Sequence, residues 1–294
     1  MKNLLLLHNP HAGTKQSFLS VESTKDALTA QRWQVATQIS QYKGFFIDYL
    51  ASASLEGVNM IGVLGGDGTM HEVLNGLMKR AVFPAIPIIL FPAGTGNAFN
   101  HDIGCLTMAD SLSRLEKGQM KEVDIFEVKT PHETIFAFNV LGFGLVSQIN
   151  ATSERLRWMG GLRYSIAALP HIFKNPRFRA HVEVDGQIWK GDFCFVLISN
   201  TIHTGKSMKM SPKALLDDGL LDVMIVPHVP FWNLLRLFPL IFSGKHITSS
   251  LLTYIKAKQI KINAQAMPLI IDGETKGATP VEIQVLPRQL KIIV

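Results

Sequence analysis

The chain has 294 residues, 47% of them hydrophobic, and its lysines and arginines outnumber its acids to give a net charge of +6. That length and apolar content exclude a disordered segment and predict two domains with substantial cores. The longest uncharged apolar stretches, such as residues 83–91, fall short of the roughly 18 residues that span a bilayer, so any membrane contact is expected to be peripheral. The positive balance favours anionic partners: nucleotide phosphates, nucleic acid or acidic lipid headgroups.

Lys2 is followed by leucines at 4–7 and then His8-Asn9-Pro10, a run too short for a signal-peptide apolar region and suited to a buried strand. No secretion is expected. Cys105 and Cys194 make no disulfide framework, and a cytoplasmic location is expected to keep both reduced.

Through residue 120 short apolar runs at 4–7, 33–39, 60–64 and 86–91 alternate with amphipathic stretches at 18–31, 44–54, 70–80 and 108–117. This pattern predicts an α/β domain over 1–120 with a mainly parallel sheet, whose ligands bind beyond the carboxyl ends of the strands. From 121 to 294 the texture changes to strand-like runs at 123–129, 135–141, 181–184, 193–198, 221–226 and 259–262. Asp185-Gly186, Asp218-Gly219 and Asp272-Gly273 punctuate them as hairpin-type turns. The second half is therefore expected to be an antiparallel β-sandwich or barrel, with the sandwich preferred, and its last strand is expected to return to the first domain. Residues 153–173 and 231–243 interrupt it, the latter as a helix.

Gly65-Gly66-Asp67-Gly68-Thr69 stands where the run 60–64 stops and a helix starts. Glycines there let backbone amides approach phosphate oxygens, and the helix start adds a favourable dipole. Asp67 would repel bare phosphate, which points to magnesium or to proton transfer. Gly94-Thr95-Gly96-Asn97 follows the run 86–91, and Asn9-Pro10-His11-Ala12-Gly13 follows the first strand. Three such loops after successive strands are expected to converge on one crevice.

Gly205-Lys206-Ser207 is not a Walker site, because Asn200 stands where that pattern needs glycine. His71-Glu72 lacks the second histidine of a zinc-protease helix, since Asn75 takes its place. Two acidic turns remain, Asp217-Asp218-Gly219-Leu220-Leu221-Asp222 and Asp272-Gly273-Glu274. By spacing alone each reads more often as a plain hairpin turn than as part of a catalytic site.

Asn-Pro-x-x-Gly, Gly-Gly-Asp-Gly-Thr, Gly-Thr-Gly-Asn, Asp-Gly-Leu-Leu-Asp-Val and Asp-Gly-Glu, in this order from Asn9 to Glu274, resemble the diacylglycerol kinase and sphingosine kinase superfamily. The chain looks closest to compact bacterial lipid kinases. The resemblance implies an ATP-dependent lipid kinase that phosphorylates a hydroxyl of a lipid such as diacylglycerol at a membrane surface, with no nucleic-acid partner. It implies ATP contacts at Asn9, Pro10, His11, Ala12, Gly13, Ser40, Gly66, Asp67, Gly68, Thr69, Met70, His71, Glu72 and Thr95. It further implies Mg2+ held by the Asp218 carboxylate and the carbonyls of Leu215 and Leu220, with Glu274 as proton acceptor and Asp67 as its rival.

Two departures qualify it. Asn97-Ala98 replaces the common Asn-Asp, and Val146 stands where sphingosine kinases carry an acid for the substrate amine, which argues against sphingosine. Two other readings stay open: an NAD kinase-like enzyme acting on a soluble dinucleotide, and a non-catalytic nucleotide-binding membrane module. Membrane docking is expected from Arg155, Arg157, Arg163, Lys174, Arg177 and Arg179 with Trp158 and Met159, and from Trp232, Leu235, Phe238 and Phe242.

Overall fold

The computed structural model describes residues 2–10, 17–93, 97–156, 159, 162–205 and 208–294. The chain divides into two compact units, Met1–Val123 with Arg288–Val294, and Asp124–Pro287.

The first unit is built on parallel strands. β1 (Lys2–His8) lies between β2 (Trp33–Ile39) and β3 (Met60–Gly65), and β3 pairs with β4 (Ile88–Pro92). A segment from the end of the chain pairs parallel with β4, Ile292 opposite Ile88. Leu4, Leu6, Leu64, Ile89 and Phe91 are buried in one cluster with Val21 and Leu28 of helix α1 (Ser17–Ala30) and Leu115. Strands apolar on both faces are what a sheet covered by helices requires. α2 (Phe45–Ser52), α3 (Asp67–Met78), α4 (Ala98–Asp102) and α5 (Met108–Lys117) follow in order. Three of them match the stretches expected from sequence, while the five-residue α4 carries too few residues to show a helical period.

The order β2-β1-β3-β4 makes the chain leave β1 to one side and return on the other, so the β1/β3 gap is the switch point where open α/β sheets bind ligands. Register aligns His8 with Ile39 and Leu64, and Gly65 with Pro92. The loops after all four strands therefore leave from one edge.

The second unit is antiparallel. β7 (Val140–Gly144), β8 (Phe178–Val184) and β10 (Leu221–Pro227) each pair with β9 (Gln187–Ser199), β10 with β11 (Thr253–Ala257), and β12 (Gln259–Ala264) with β8. β13 (Pro268–Ile271) pairs with β7 and with β14 (Glu274–Ala278). The chain thus has the expected fold class: an α/β unit with a mainly parallel sheet and an antiparallel β-sandwich unit.

Four features of this half differ in detail from the sequence pattern. The expected strand 135–141 is two, β6 (Thr134–Ala137) and β7, because the Asp272 carboxylate captures the amides of Phe138, Asn139 and Val140 between them. The stretch 153–173 holds parts of two helices, α6 (Leu145–Arg155) and α7 (Arg163–Lys174). The stretch 231–243 also holds two, α8 (Phe231–Leu237) and α9 (Leu240–Ser243), separated at Pro239. Asp218-Gly219 closes no hairpin: it leads into β10, whose partners are β9 and β11. No described helix is long and apolar enough to cross a membrane.

Candidate active site

At the carboxyl edge of the parallel sheet the loops are stitched to one another by the backbone. Ser40 N donates to His8 O at 2.8 Å, Asn9 N to Leu64 O at 3.3 Å, and Ala93 N to Gly65 O at 3.0 Å. A Cβ on Gly65 would meet the Thr69 hydroxyl oxygen at 2.4 Å, so only glycine lets the strand turn this tightly into α3. Thr69 is 2% exposed.

Asp67, the first residue of α3, turns its carboxylate sideways. It accepts the amide of Ala98 at 2.7 Å and of Phe99 at 3.4 Å, tying the start of α4 to the glycine turn. Glu72 is spent in the same way, accepting Gly44 N at 2.8 Å and Phe46 N at 3.4 Å at the start of α2. Met70 and His71 are buried, and the amides of Thr69 and Met70 close on the Gly66 carbonyl. The expected ATP residues thus separate into a loop surface formed by Asn9, Pro10, Gly66, Asp67 and Gly68 and an internal support formed by Thr69, Met70, His71, Glu72 and the buried Ser40, whose hydroxyl donates to Tyr42 O at 3.1 Å. His11, Ala12, Gly13 and Thr95 lie outside the described residues.

In the second unit Asp272 and Gly273 form the two-residue turn between β13 and β14, with φ of 50° and 88°. Asp272 is buried and holds the Asn139 and Val140 amides at 2.9 and 3.1 Å. Asn150 of α6 donates to Gly273 O at 2.9 Å. Glu274, half-buried, is the first residue beyond this clamped turn.

Beside the turn lies a cavity of about 120 Å³, open to solvent on one side, whose wall is almost wholly apolar. Val140, Asn150 and Ile270 belong both to that wall and to the strands and helix that frame the turn. Val146 and Phe195 extend it, as does His246, whose pKa is lowered by burial.

The other acidic turn is engaged internally. Asp218 accepts Leu220 N at 3.1 Å through one oxygen, and its other oxygen is hydrogen-bonded to the Lys256 ammonium, which also lies 3.7 Å from Asp222. Leu215 has an exposed side chain. Tyr254 donates to Asp222 at 2.6 Å, and burial raises the pKa of both groups. Asp124, fully buried, accepts Gly219 N at 2.7 Å. Among the described residues no group of three or more His, Cys, Asp or Glu could hold a metal. A dication on Asp218 would have to displace Lys256, so the turn as it stands does not fit the metal that the resemblance implies at Leu215, Asp218 and Leu220.

Asn150, Asp124, Tyr254 and Lys256 were not singled out by sequence. The residues Tyr254 and Lys256 stand two apart, on one face of a strand, and that alternation was the available signal.

Phosphate-suited loops at a sheet's switch point, joined in one chain to a β-sandwich with a clamped acidic turn, define a two-domain kinase of the α/β plus β-sandwich class. Residues 3–128 match the diacylglycerol kinase catalytic domain, and residues 139–294 match the YegS C-terminal NAD kinase beta sandwich-like domain. The chain belongs to the diacylglycerol kinase superfamily, in the branch that carries that YegS-type C-terminal domain. It is 25% identical to diacylglycerol kinase of Bacillus subtilis, over 100% of this chain and 96% of that one. It is 24% identical to sphingosine kinase 2 of Arabidopsis thaliana, over 98% of this chain and 69% of the relative. A crystal structure of a diacylglycerol kinase from Bacillus anthracis shares the fold, with a TM-score of 0.77 and 22% identity over 99% of this chain and 96% of that one.

Proposed function

We propose that this chain is an ATP-dependent lipid kinase that transfers the γ-phosphate to the free hydroxyl of a neutral lipid such as diacylglycerol. The observation that carries this reading is the apolar cavity whose wall shares Val140, Asn150 and Ile270 with the frame of the Asp272–Glu274 turn. A soluble dinucleotide has no use for a cavity of that lining, whereas hydrocarbon chains gain about 25 cal/mol for each Å² they bury there. The cavity wall includes no carboxylate to receive an amine, and Val146 stands in it, which favours a neutral lipid over sphingosine.

In this proposal Asn9, Pro10 and the turn Gly66–Gly68, with Ser40 in the internal support, hold the phosphates of ATP at the carboxyl edge of the sheet, through the outermost amides of α3. His11, Ala12, Gly13 and Thr95 are assigned to the same surface by resemblance. Lipid chains in the cavity bring the hydroxyl to Glu274, which accepts its proton as the oxygen attacks phosphorus. Magnesium enters as the counter-ion of the ATP phosphates, and no step is assigned to a metal at residues 215–220.

The lipid arrives from a membrane surface. α7 presents Leu162, Ile166, Leu169 and Phe173 outward, spaced by three or four residues, and its Ala167, Ala168 and Ile172 inward. Phe173 continues through Phe231, 5.5 Å away, to Trp232, which is 62% exposed. An exposed apolar stripe of this kind marks an interaction face. Of the basic residues expected there, Arg163 is buried against Glu154, Arg179 is exposed but paired with Asp192, and Arg155, Lys174 and Arg177 are exposed. Arg157 and Trp158 lie outside the described residues. The reading is tested by ATP turnover with and without diacylglycerol vesicles: stimulation by lipid supports it, and stimulation by NAD instead overturns it.

A further inference from the structure

The Asp218 turn is where the structure departs from the metal site implied by resemblance. Antiparallel pairing of β10 with β11 sets Lys256 directly opposite Asp222 and Tyr254 opposite Met224. The lysine stem is therefore carried on a strand, not on a mobile loop. Its ammonium bonds Asp218 and lies 3.7 Å from the second oxygen of Asp222, whose first oxygen is already taken by Tyr254. Asp222 is 1% exposed and the Lys256 side chain 28%. Asp124, fully buried, takes the Gly219 amide in the same turn.

Two carboxylates, Asp218 and Asp124, thus hold backbone amides of the turn, and a cation fixed on a neighbouring strand offsets the charge of Asp218 and Asp222. A divalent ion placed on Asp218 would meet that ammonium at close range, where like charges repel strongly in a partly buried setting.

We propose that Lys256 is the resident cation of the 216–222 turn, supplying in covalent form the charge that a bound divalent metal would otherwise supply there. The turn then holds its shape without a divalent ion. The inference rests on the second unit alone and stands whether or not the kinase reading does.

The test uses the full chain without nucleotide and counts bound Mn2+ by electron paramagnetic resonance. Wild type takes up no ion that Asp218→Asn abolishes, and its melting temperature is unchanged between EDTA and millimolar Mg2+. Lys256→Met keeps the stem and removes the charge; it melts earlier, binds about one Mn2+ per chain and regains its stability in Mg2+. Lys256→Arg behaves as wild type. Wild type that binds one Mn2+ lost in Asp218→Asn overturns the proposal, as does a folded Lys256→Met protein that binds none. If Lys256→Met does not fold, the wild-type count alone decides.

Discussion

The carboxylate of Asp67 accepts the main-chain amide of Ala98 at 2.7 Å, so the acid of the glycine-rich turn is committed to positioning the segment that follows β4. Glu274 stands instead beside a turn clamped by Asn150 and Asp272, next to an apolar cavity. On this division we propose Glu274 as the base. Glu274→Gln is expected to lower kcat by roughly 100-fold or more with little change in the KM for ATP. Asp67→Asn is expected mainly to raise that KM, because the Ala98 and Phe99 amides are held by different oxygens of Asp67 and asparagine puts a donor in place of one of them. Steady-state kinetics of both variants check the assignment, and the opposite pattern would move the base to Asp67.

Asp272 carries the frame on which Glu274 stands. Asp272→Ala leaves the amides of Phe138, Asn139 and Val140 in a buried setting without their acceptor. A stability loss of about 3 kcal/mol is expected at a roughly unchanged m-value, read by urea denaturation. A loss under about 1 kcal/mol would mean that the turn is held by other contacts.

The cavity is expected to set the dependence on lipid chain length. Ala168 is 2% exposed and lines it, so Ala168→Leu takes up space that a lipid tail needs. The KM for a long-chain diacylglycerol is expected to rise several-fold more than that for a short-chain one, with the KM for ATP unchanged. Equal effects on both lipids would place the tails elsewhere.

Trp232 and the outward face of α7 meet the bilayer in this account. Trp232→Ser combined with Leu169→Ser is expected to lower partitioning to vesicles about tenfold or more, since each side chain contributes roughly 1.5–3 kcal/mol when fully buried. Anionic lipid is expected to add to binding through Arg155, Lys174 and Arg177, by about 1 kcal/mol each, and salt to remove that part. Vesicle sedimentation measures both contributions. Unchanged partitioning of the double variant would reject this face.

The α/β half was legible because local chemistry dictates it. Its strands are apolar runs, its helices have a period, and its turn at Gly65 needs glycine for a steric reason that leaves a mark in the sequence. Identities within the glycine turn were legible too, but not their division of labour. That Asp67 and Glu72 cap other helices depends on where α4 and α2 start in space, which residue spacing does not encode. In the β-sandwich half the turns Asp185-Gly186 and Asp272-Gly273 showed themselves, since both residues take positive φ there. β11 did not, and with it went the pairing of Lys256 with Asp222, because strand register across a long connection is set by tertiary packing. The metal reading of Asp218 rested on resemblance and could not register a lysine lying more than thirty residues further on.

The central claim, phosphoryl transfer from ATP to a lipid hydroxyl, is tested most directly by following the label. The purified chain is incubated with γ-labelled ATP and mixed vesicles containing diacylglycerol, with NAD supplied in a parallel reaction, and the organic and aqueous phases are separated. The account predicts label in a phosphorylated lipid of the organic phase, lost in Glu274→Gln, and none on the dinucleotide. Label on NAD, or release of inorganic phosphate alone in the presence of lipid, would contradict it.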